Sequence, residues 1–385
     1  MGPLTGLKVI EIEGIGPAPM CAMLLADLGA QVLRIARKTP SGLGRPRPLR
    51  FNLPMRNRKA VALDLKDAQS VEFVLSLIEN ADVLIEGFRP GVMERLGLGP
   101  DVCHVRNERL VYGRMTGWGQ SGPLKDAAAH DINYIAVTGA LNQIGRRGQP
   151  PTQPLNLVGD FGGGALYLAF GIMSALYERQ SSGRGQVIDA AIVDGVASLL
   201  TSLFGMNAGG LVSERGTNPT DSGSYFSNTY QCADGKWIAI GAIETKFHDE
   251  LLRLLELDPK TLPAQWDRSG WDKTHALFTE LFRKRTREQW CSLLEGKDVC
   301  FAPVLSLDEA PKHPHLRARG AFIEVDGIVQ PAPAPRFSRS IPGIPTPPEA
   351  PNQSGVESAL AGWISEVEIS RWVDLGIFVN EQNAD

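Results

Sequence analysis

His130 and Asp160 are the residues of this chain whose chemistry and setting most suggest catalysis. His130 begins the sequence His-Asp-Ile-Asn-Tyr, and Asp160, thirty positions later, stands directly before Phe161 and three glycines. Imidazole and carboxylate groups are common general acids and bases, and small neighbours would leave both open to a ligand. If the two side chains face one carbon atom from opposite sides, one can remove a proton and the other can return one. The pair therefore predicts proton transfer at a single carbon.

Each of these residues also has a purely structural interpretation. A lone histidine often packs or caps a helix, and Asp131 beside it could order a turn through its own backbone. Asp160 could cap the helix that follows the glycines by accepting backbone N–H bonds. Glu244 stands between a predicted strand and a predicted helix, where an acidic residue is ordinary. The chemical interpretation therefore depends on these residues acting together.

The composition predicts a soluble globular protein. The chain has 385 residues, enough for two domains of ordinary size, and 43% of them are hydrophobic and 21% charged. No uninterrupted apolar run approaches the roughly 18 residues of a membrane span. Five scattered cysteines without a C-x-x-C pair argue against both disulfides and a zinc site. We therefore expect a cytoplasmic protein that binds neither a metal nor a membrane.

Residues 34–59, here called the basic island, contain nine lysines and arginines and no acidic residue. The whole chain has a net charge of −4, so the residues outside the island together carry −13. A basic island on an otherwise acidic protein suits a compact polyanion better than a nucleic-acid backbone, which usually needs a basic domain. The island therefore predicts a small anionic ligand and no nucleic acid. The alternative is a solvated loop.

The order of predicted elements indicates the fold class. Residues 7–12 are typical of a strand, 20–29 of an amphipathic helix and 31–35 of a second strand. This βαβ start predicts an α/β protein with a Rossmann-like, doubly wound parallel sheet. The glycine fingerprint for dinucleotides is incomplete because Pro19 takes the place of its third glycine, and cations such as Arg37 replace the acidic residue after the second strand. We therefore expect this sheet not to bind a nicotinamide dinucleotide.

The later sequence predicts a second domain and an extended segment. A large domain over residues 1–205 is expected to be completed by residues 331–385. Residues 206–224, rich in Gly and Ser, are typical of a linker. A hairpin and three helices predict a small α+β domain over residues 225–320. Residues 321–351, with a dense run of prolines, predict an extended strap before a final helix.

Four stretches carry a resemblance to a known family: residues 130–134, 154–161, 183–190 and 241–244. Together with a similarity that runs from Gly6 to Ser338, they resemble the family III CoA-transferase (CaiB/BaiF) superfamily and, within it, the α-methylacyl-CoA racemases. The resemblance implies a Rossmann-like large domain and a smaller α+β domain in an interlocked homodimer, with the active site shared between the chains. It also implies an acyl-CoA substrate whose CoA moiety takes the place of a separate cofactor.

The resemblance also implies a role for individual residues. His130 and Asp160 match the acid/base pair that inverts the α-carbon of a 2-methylacyl-CoA thioester, which makes the implied enzyme an isomerase acting through an enolate. Glu244 matches the carboxylate that orients the histidine, across the dimer interface. The positions where the family contacts CoA are occupied here by Arg37, Leu63, Lys66, Gly87, Phe88, Arg89, Arg95 and Tyr134.

The two proposed acid/base residues have different reference pKa values, about 6.5 for His and about 3.9 for Asp. Proton exchange that is balanced in both directions needs values closer together. We therefore expect partial burial to raise the pKa of Asp160.

Two other functions compete with the racemase. A family III CoA-transferase would use the carboxylate of Asp131 as a nucleophile and form acyl-enzyme anhydrides. A non-catalytic carrier of CoA esters would need the basic island but not His130. The presence of His130 together with Glu244 favours the racemase. The sequence leaves the acyl group open, whether fatty, sterol or aryl.

Overall fold

The computed structural model describes residues 1–39, 42, 44 and 46–378. Arg45 of the basic island and the last seven residues of the segment expected to complete the large domain lie outside them. The strands, in chain order, are β1 (Lys8–Ile12), β2 (Gln31–Arg37), β3 (Lys59–Leu63), β4 (Val83–Glu86), β5 (Val111–Thr116), β6 (Val187–Ala191), β7 (Ser227–Gln231), β8 (Trp237–Gly241), β9 (Phe301–Val304), β10 (Phe322–Val325) and β11 (Ile328–Pro331).

The α-helices, in the same order, are α1 (Pro17–Asp27), α2 (Ala68–Ile78), α3 (Val92–Arg95), α4 (Pro100–Arg106), α5 (Asp131–Val137), α6 (Ala140–Gln143), α7 (Leu166–Ser182), α8 (Ile192–Leu199), α9 (Thr201–Ala208), α10 (Thr245–Leu254), α11 (Trp271–Phe282), α12 (Arg287–Leu294), α13 (Pro314–Ala318), α14 (Val356–Leu360) and α15 (Glu366–Asp374). A π-helix over Leu157–Ala165 leads directly into α7. Short 3₁₀ turns lie at Leu49–Phe51, Leu53–Met55, Pro259–Thr261, Arg268–Gly270 and Ala310–Lys312.

The chain divides into two compact units. Unit 1 contains Met1–Thr138, Leu155–Leu199 and the described chain from Gly320 onward, and unit 2 contains Gly139–Pro154 and Leu200–Arg319. The expected division placed residues 139–154 in the large domain and residues 206–224 in a linker. In the structure both segments belong to unit 2.

Unit 1 is built on a six-stranded parallel sheet with the strand order β3-β2-β1-β4-β5-β6. The predicted α/β class and parallel sheet are therefore confirmed. Alternating side chains of β1 point to opposite faces: Ile10 and Ile12 pack in the core with α2, whereas Glu11 faces the side of α1. The strand order reverses direction between β1 and β4, which leaves a crevice at their carboxyl ends.

Three arginines of the basic island are buried in unit 1 instead of facing a ligand. Arg58 pairs with Glu11 at 2.5 Å, and both side chains are fully buried. Arg56, also buried, pairs with Asp27 and donates to the Pro331 carbonyl at 2.8 Å. Arg34 is 3% exposed. The expectation that the whole island can bind a polyanion is therefore wrong for these three, because a buried guanidinium needs a fixed partner inside the protein.

The Pro-rich strap follows the outer edge of the sheet. The Asn57 N–H donates to the Thr346 carbonyl at 3.0 Å, and the Asn352 N–H donates to the Ala60 carbonyl at 2.9 Å. These bonds cover the exposed edge of β3, which would otherwise be free to pair with another strand. The single helix expected after the strap is in fact two, α14 and α15, because the chain turns at Gly362 with a φ of +77°.

The π-helix and α7 together form a continuous helical run of 26 residues, Leu157–Ser182. Its length and composition would allow it to cross a membrane, and it is the one such helix in the described chain. A single helix of this kind is weak evidence for a membrane span, because core helices of soluble proteins have the same length and composition. This helix packs closely on the sheet: a Cβ added to Gly113 of β5 would lie 3.0 Å from Leu168, and one added to Gly171 would lie 3.0 Å from Ile188 of β6.

Unit 2 has an antiparallel sheet of order β7-β8-β9 against helices α10, α11 and α12. Its core is rich in aromatic rings that meet edge to face, as in the pairs Phe226–Trp271 and Phe282–Trp290. His248 is buried there, and its Nε2 lies 2.7 Å from the hydroxyl of Tyr225. The histidine is therefore part of the core of unit 2.

The pair Arg58–Glu11 gives a stability prediction. Arg58→Ala leaves the buried Glu11 carboxylate without its cation, so we expect the free energy of unfolding to fall by about 3–5 kcal/mol. Arg106→Ala, which removes exposed ion pairs to Glu72 and Glu79, should have a much smaller effect. Denaturant unfolding measures both variants, and equal effects would contradict the structural role assigned to Arg58.

Candidate active site

A cavity of about 850 Å³ opens at the carboxyl ends of β1, β2 and β4 in unit 1. Residues at the ends of these strands line the cavity. Residues of the π-helix and of the segment that precedes α5 also line it. His130 and Asp160 both line it. The structure therefore brings together, in one cavity, the two residues that the sequence singled out. The principal lining groups are Glu13, Gly16, Arg37, Arg47, Gly87, Phe88, His130, Asn156, Asp160 and Phe161.

His130 stands directly before α5 in an extended conformation, with φ of −133°. Its N–H donates to the side-chain oxygen of Asn133 at 3.0 Å, which is the reciprocal bond of a capping box. The hydroxyl of Tyr134 donates to the Ala129 carbonyl at 2.9 Å, and its ring packs edge to face on Trp118. These contacts hold the backbone on both sides of His130 and leave the imidazole exposed to the cavity.

Asp160 lies on the π-helix, and the glycines that follow it allow this turn to pack closely on its neighbours. A Cβ added to Gly164 would lie 3.0 Å from Pro17 of α1 and 3.2 Å from Ile192 of α8. Gly16, with φ of +71°, stands at the N-terminus of α1, and a Cβ there would lie 3.5 Å from the Asp160 carboxylate. π-Helical turns are frequent at functional sites, and this one carries a half-buried carboxyl group.

The pKa of Asp160 is raised to about 6, as the sequence led us to expect. Burial is the largest cause, and the negative charge of Asp131 is the second. A hydrogen bond with the Asn156 side chain and the nearby His130 act in the opposite direction. The pKa of Asp160 therefore lies close to the reference pKa of a histidine, about 6.5. The Asp160 carboxyl group can therefore accept or donate a proton near neutral pH.

Asp131 has a structural contact that the sequence did not reveal. Its Oδ2 accepts the N–H of Asp160 at 2.7 Å, and the N–H of Gly159 also bonds to this carboxylate. A Cβ on Gly159 would collide with it. The residue is 4% exposed, and burial raises the pKa of its carboxyl group. Asp131 therefore holds the π-helical turn in place, and its carboxylate is not open to an acyl group in this structure.

Three of the positions expected to contact CoA line the cavity: Arg37, Gly87 and Phe88. The Arg37 guanidinium lies over the Phe88 ring, 5.3 Å from its centroid. The side chains of Arg89, Arg95 and Lys66 are exposed. Arg89 and Lys66 lie on the turns that follow β4 and β3, and Arg95 is the last residue of α3. They are free to meet an anionic ligand.

Leu63 and Tyr134 differ from the other expected CoA contacts because both are buried. Leu63 is 1% exposed and belongs to the core of unit 1, so its side chain cannot reach a ligand in this structure. Tyr134 is 9% exposed, and its hydroxyl is bound to the Ala129 carbonyl. Its contacts support the segment that carries His130.

Glu244 belongs to unit 2, where it is the N-cap residue of α10. Its carbonyl accepts the N–H groups of Phe247 and His248, each at 3.0 Å. The side chain is exposed and takes no part in capping. Its carboxylate is therefore free to bind another group.

Two residues of the cavity were not predicted from the sequence. Asn156 precedes Asp160 by one turn and bonds to its carboxylate, and Glu13 accepts the N–H of Arg37 at 2.7 Å. Glu13 could have been found from its place, since ligands of open parallel sheets bind at the carboxyl ends of strands. Among the described residues, no group of three or more His, Cys, Asp or Glu side chains is placed to hold a metal ion.

The contact between Asp131 and Asp160 gives a prediction about protonation. Asp131→Asn removes the negative charge that helps to raise the pKa of Asp160, so this pKa should fall toward its ordinary value. Carboxyl ¹³C NMR titration measures it directly. Asp126→Asn, an exposed change in the same loop, is the matched control. If both variants leave the Asp160 titration unchanged, Asp131 does not tune this group.

Most of this chain is similar in sequence to known proteins. Residues 4–353 match the family described as CoA-transferase family III. The chain is 43% identical over 352 residues to the alpha-methylacyl-CoA racemase of Mus musculus, covering 91% of this chain and 90% of the relative. It is 41% identical over 349 residues to that of Homo sapiens, covering 89% and 88%.

Among solved structures, the fold is similar to that of a CAIB/BAIF family protein from Brucella suis, with a TM-score of 0.81. The two sequences are 24% identical, and the superposition covers 94% of this chain and 100% of the other. This likeness supports the architecture alone. On the family match and the two close relatives, the chain belongs to CoA-transferase family III.

Proposed function

We propose that this protein is an isomerase that inverts the α-carbon of 2-methylacyl-CoA thioesters. The observation that carries the proposal is that His130 and Asp160 line one cavity together with the cation of Arg37. The identity of 41–43% to alpha-methylacyl-CoA racemases supports the same substrate class.

In the proposed reaction, one member of the pair removes the α-proton and the other adds a proton to the opposite face of the planar enolate. The raised pKa of Asp160, about 6, supports this assignment because reversible exchange needs two groups of similar proton affinity.

The other end of the cavity suits the CoA moiety. Arg37 and Arg47 line it, and guanidinium groups bind phosphate with paired, charge-assisted hydrogen bonds. Glu13 accepts the backbone N–H of Arg37, which holds the end of β2. The thioester would then lie between these cations and the acid/base pair.

The competing CoA-transferase function would require Asp131 to attack an acyl group. Its 4% exposure and its bonds to the backbone of the π-helix weigh against this role. The racemase needs no acyl acceptor, whereas the transferase does. That difference allows the two functions to be separated in solution.

We also propose that the protein is a homodimer. The outward face of α7 exposes four large apolar side chains at helical spacing: Leu166 is 54% exposed, Phe170 72%, Met173 39% and Tyr177 77%. Contiguous apolar surface of this kind usually marks a protein interface, and the family resemblance favours a second copy as its occupant. In such a dimer, we assign to the exposed Glu244 of one subunit the role of orienting the His130 of the other.

Solvent exchange tests the racemase. Incubation with a single enantiomer of a 2-methylacyl-CoA in D₂O, without an acyl acceptor, should produce racemic thioester that carries deuterium at the α-carbon. His130→Ala and Asp160→Ala should each reduce racemisation by about 10²- to 10⁴-fold. The control is His315→Ala, an exposed histidine on α13. Exchange that requires a carboxylate acceptor, with hydroxylamine inactivation during turnover, would instead indicate the transferase.

Sedimentation equilibrium tests the dimer. Phe170→Glu places a charge at the centre of the exposed face of α7 and should raise the dimer dissociation constant by at least about tenfold, because a charge buried without a partner is costly. Val105→Glu changes an isolated valine that is 87% exposed and should leave the dimer intact. A wild-type protein that sediments as a monomer would contradict the proposal.

A further inference from the structure

Glu86 is a fully buried carboxylate beside the cavity to which the proposed reaction assigns no role. It is the last residue of β4 and directly precedes Gly87 and Phe88, which line the cavity. Its Oε2 accepts the N–H of Phe88 at 2.7 Å, and its Oε1 accepts Nε–H of Arg114 at 3.0 Å. A buried carboxylate is costly unless it is satisfied, so these two donors fix its position.

Arg114 connects Glu86 to a second carboxylate. It lies on β5, directly opposite Glu86 in the register of the two strands. Its two Nη atoms donate to Glu94 of α3 at 2.7 and 3.2 Å. The Glu94 side chain is 44% exposed, whereas that of Glu86 is 0% exposed. The buried Glu86 therefore fixes the turn at Gly87 and Phe88, and the more exposed Glu94 binds Arg114 on its solvent-facing side.

The turn that Glu86 holds presents the Phe88 ring to the cavity. The Arg37 guanidinium lies 5.3 Å from the centroid of this ring, within the range of a cation–π interaction. The turn has little room to shift toward α1, because a Cβ on Gly87 would lie 3.3 Å from Ala18. The position of the Phe88 N–H therefore determines where the ring supports Arg37.

We propose that Glu86 is a positioning residue for the CoA moiety: its carboxylate sets the turn at Gly87 and Phe88 and, through the Phe88 ring, directs the Arg37 guanidinium at the phosphates. Glu86 touches neither the substrate nor the reacting carbon and acts through these two residues. The inference rests on the proposed function only in taking CoA as the ligand.

The charge on Glu86 makes this role dependent on pH. Burial raises the pKa of Glu86 to about 7, against the lowering effects of the Phe88 N–H and of Arg114. The other titratable groups that face it are Glu94, which also raises its pKa, and Tyr112 of β5, whose own pKa is raised well above neutrality. Above pH 7 the carboxylate is charged and accepts both donors. As the pH falls through about 7 it becomes protonated, its hold on the turn weakens, and CoA affinity should decrease.

The test compares Glu86→Gln, which removes the charge at nearly constant volume, with Glu94→Gln, which leaves Glu86 and the turn intact. Titration calorimetry with free CoA, from about pH 6 to pH 8.5 across the Glu86 titration, measures affinity without the chemical step. At the alkaline end, Glu86→Gln should weaken CoA binding about five- to tenfold, the effect of losing a charge-assisted hydrogen bond. It should also make the loss of affinity on acidification smaller than the loss we expect for wild type. Glu94→Gln should retain a pH dependence, with its midpoint moved to lower pH because Glu94 raises the pKa of Glu86. It should bind CoA within about twofold of wild type at the alkaline end, because its ion pair is partly exposed.

The outcomes separate this inference from the proposed function. If wild type binds CoA and Glu86→Gln binds it equally well at every pH, Glu86 does not position the site. If wild type does not bind CoA at any pH, the proposed substrate class is wrong. Should Glu86→Gln fail to fold, as judged by thermal melting, Phe88→Leu carries the test: it keeps the turn and removes the ring. That variant should weaken CoA binding about fivefold through loss of the cation–π contact, and wild-type affinity would overturn the inference.

Discussion

The hydrogen bond from the Asp160 N–H to the Asp131 carboxylate joins the two segments that carry the acid/base pair. Asp131 is the first residue of α5 and the direct neighbour of His130, so this one contact relates the histidine to the π-helix. Glycine is needed at position 159 of that helix, because a side chain there would collide with the Asp131 carboxylate. The geometry on which proton transfer depends is thus set through backbone groups. The reacting side chains remain free to face the cavity.

Three carboxylates of unit 1 that are wholly or partly buried differ in the charged groups that surround them. Glu11 is fully buried against Arg58, and Glu86 shares Arg114 with Glu94. Asp160 has no ion pair to an arginine or lysine within the described structure, and a second carboxylate, Asp131, lies beside it. Burial and like charge act together at Asp160 and bring its pKa to about 6. Because Asp160 has no fixed cation, a change in its charge leaves no buried arginine without a partner.

Much of the fold could be predicted from the sequence because its signals are local. The alternation of buried strands and amphipathic helices predicted the parallel sheet, and the strand order observed is that of a doubly wound fold. The final helix was predicted as one although it is two, because the backbone leaves the helical conformation at Ala361 and turns at Gly362, which helical periodicity does not reveal. His130 and Asp160 were identified as a pair on residue type and on the family resemblance. Sequence spacing alone does not place two residues thirty positions apart in one cavity.

What the sequence by itself determined is the chemistry available to this protein: an imidazole, a carboxyl group among glycines, and an excess of cations early in the chain. Only the tertiary structure decided which of those groups face a ligand. It buries Arg34, Arg56 and Arg58 and leaves Arg37 exposed at the cavity, although all four belong to the same basic island. The reason is that partners such as Asp27 and Pro331 lie far from Arg56 in sequence and meet it only in the folded chain. Charge and residue type are local properties, whereas burial is decided by contacts between distant parts of the chain.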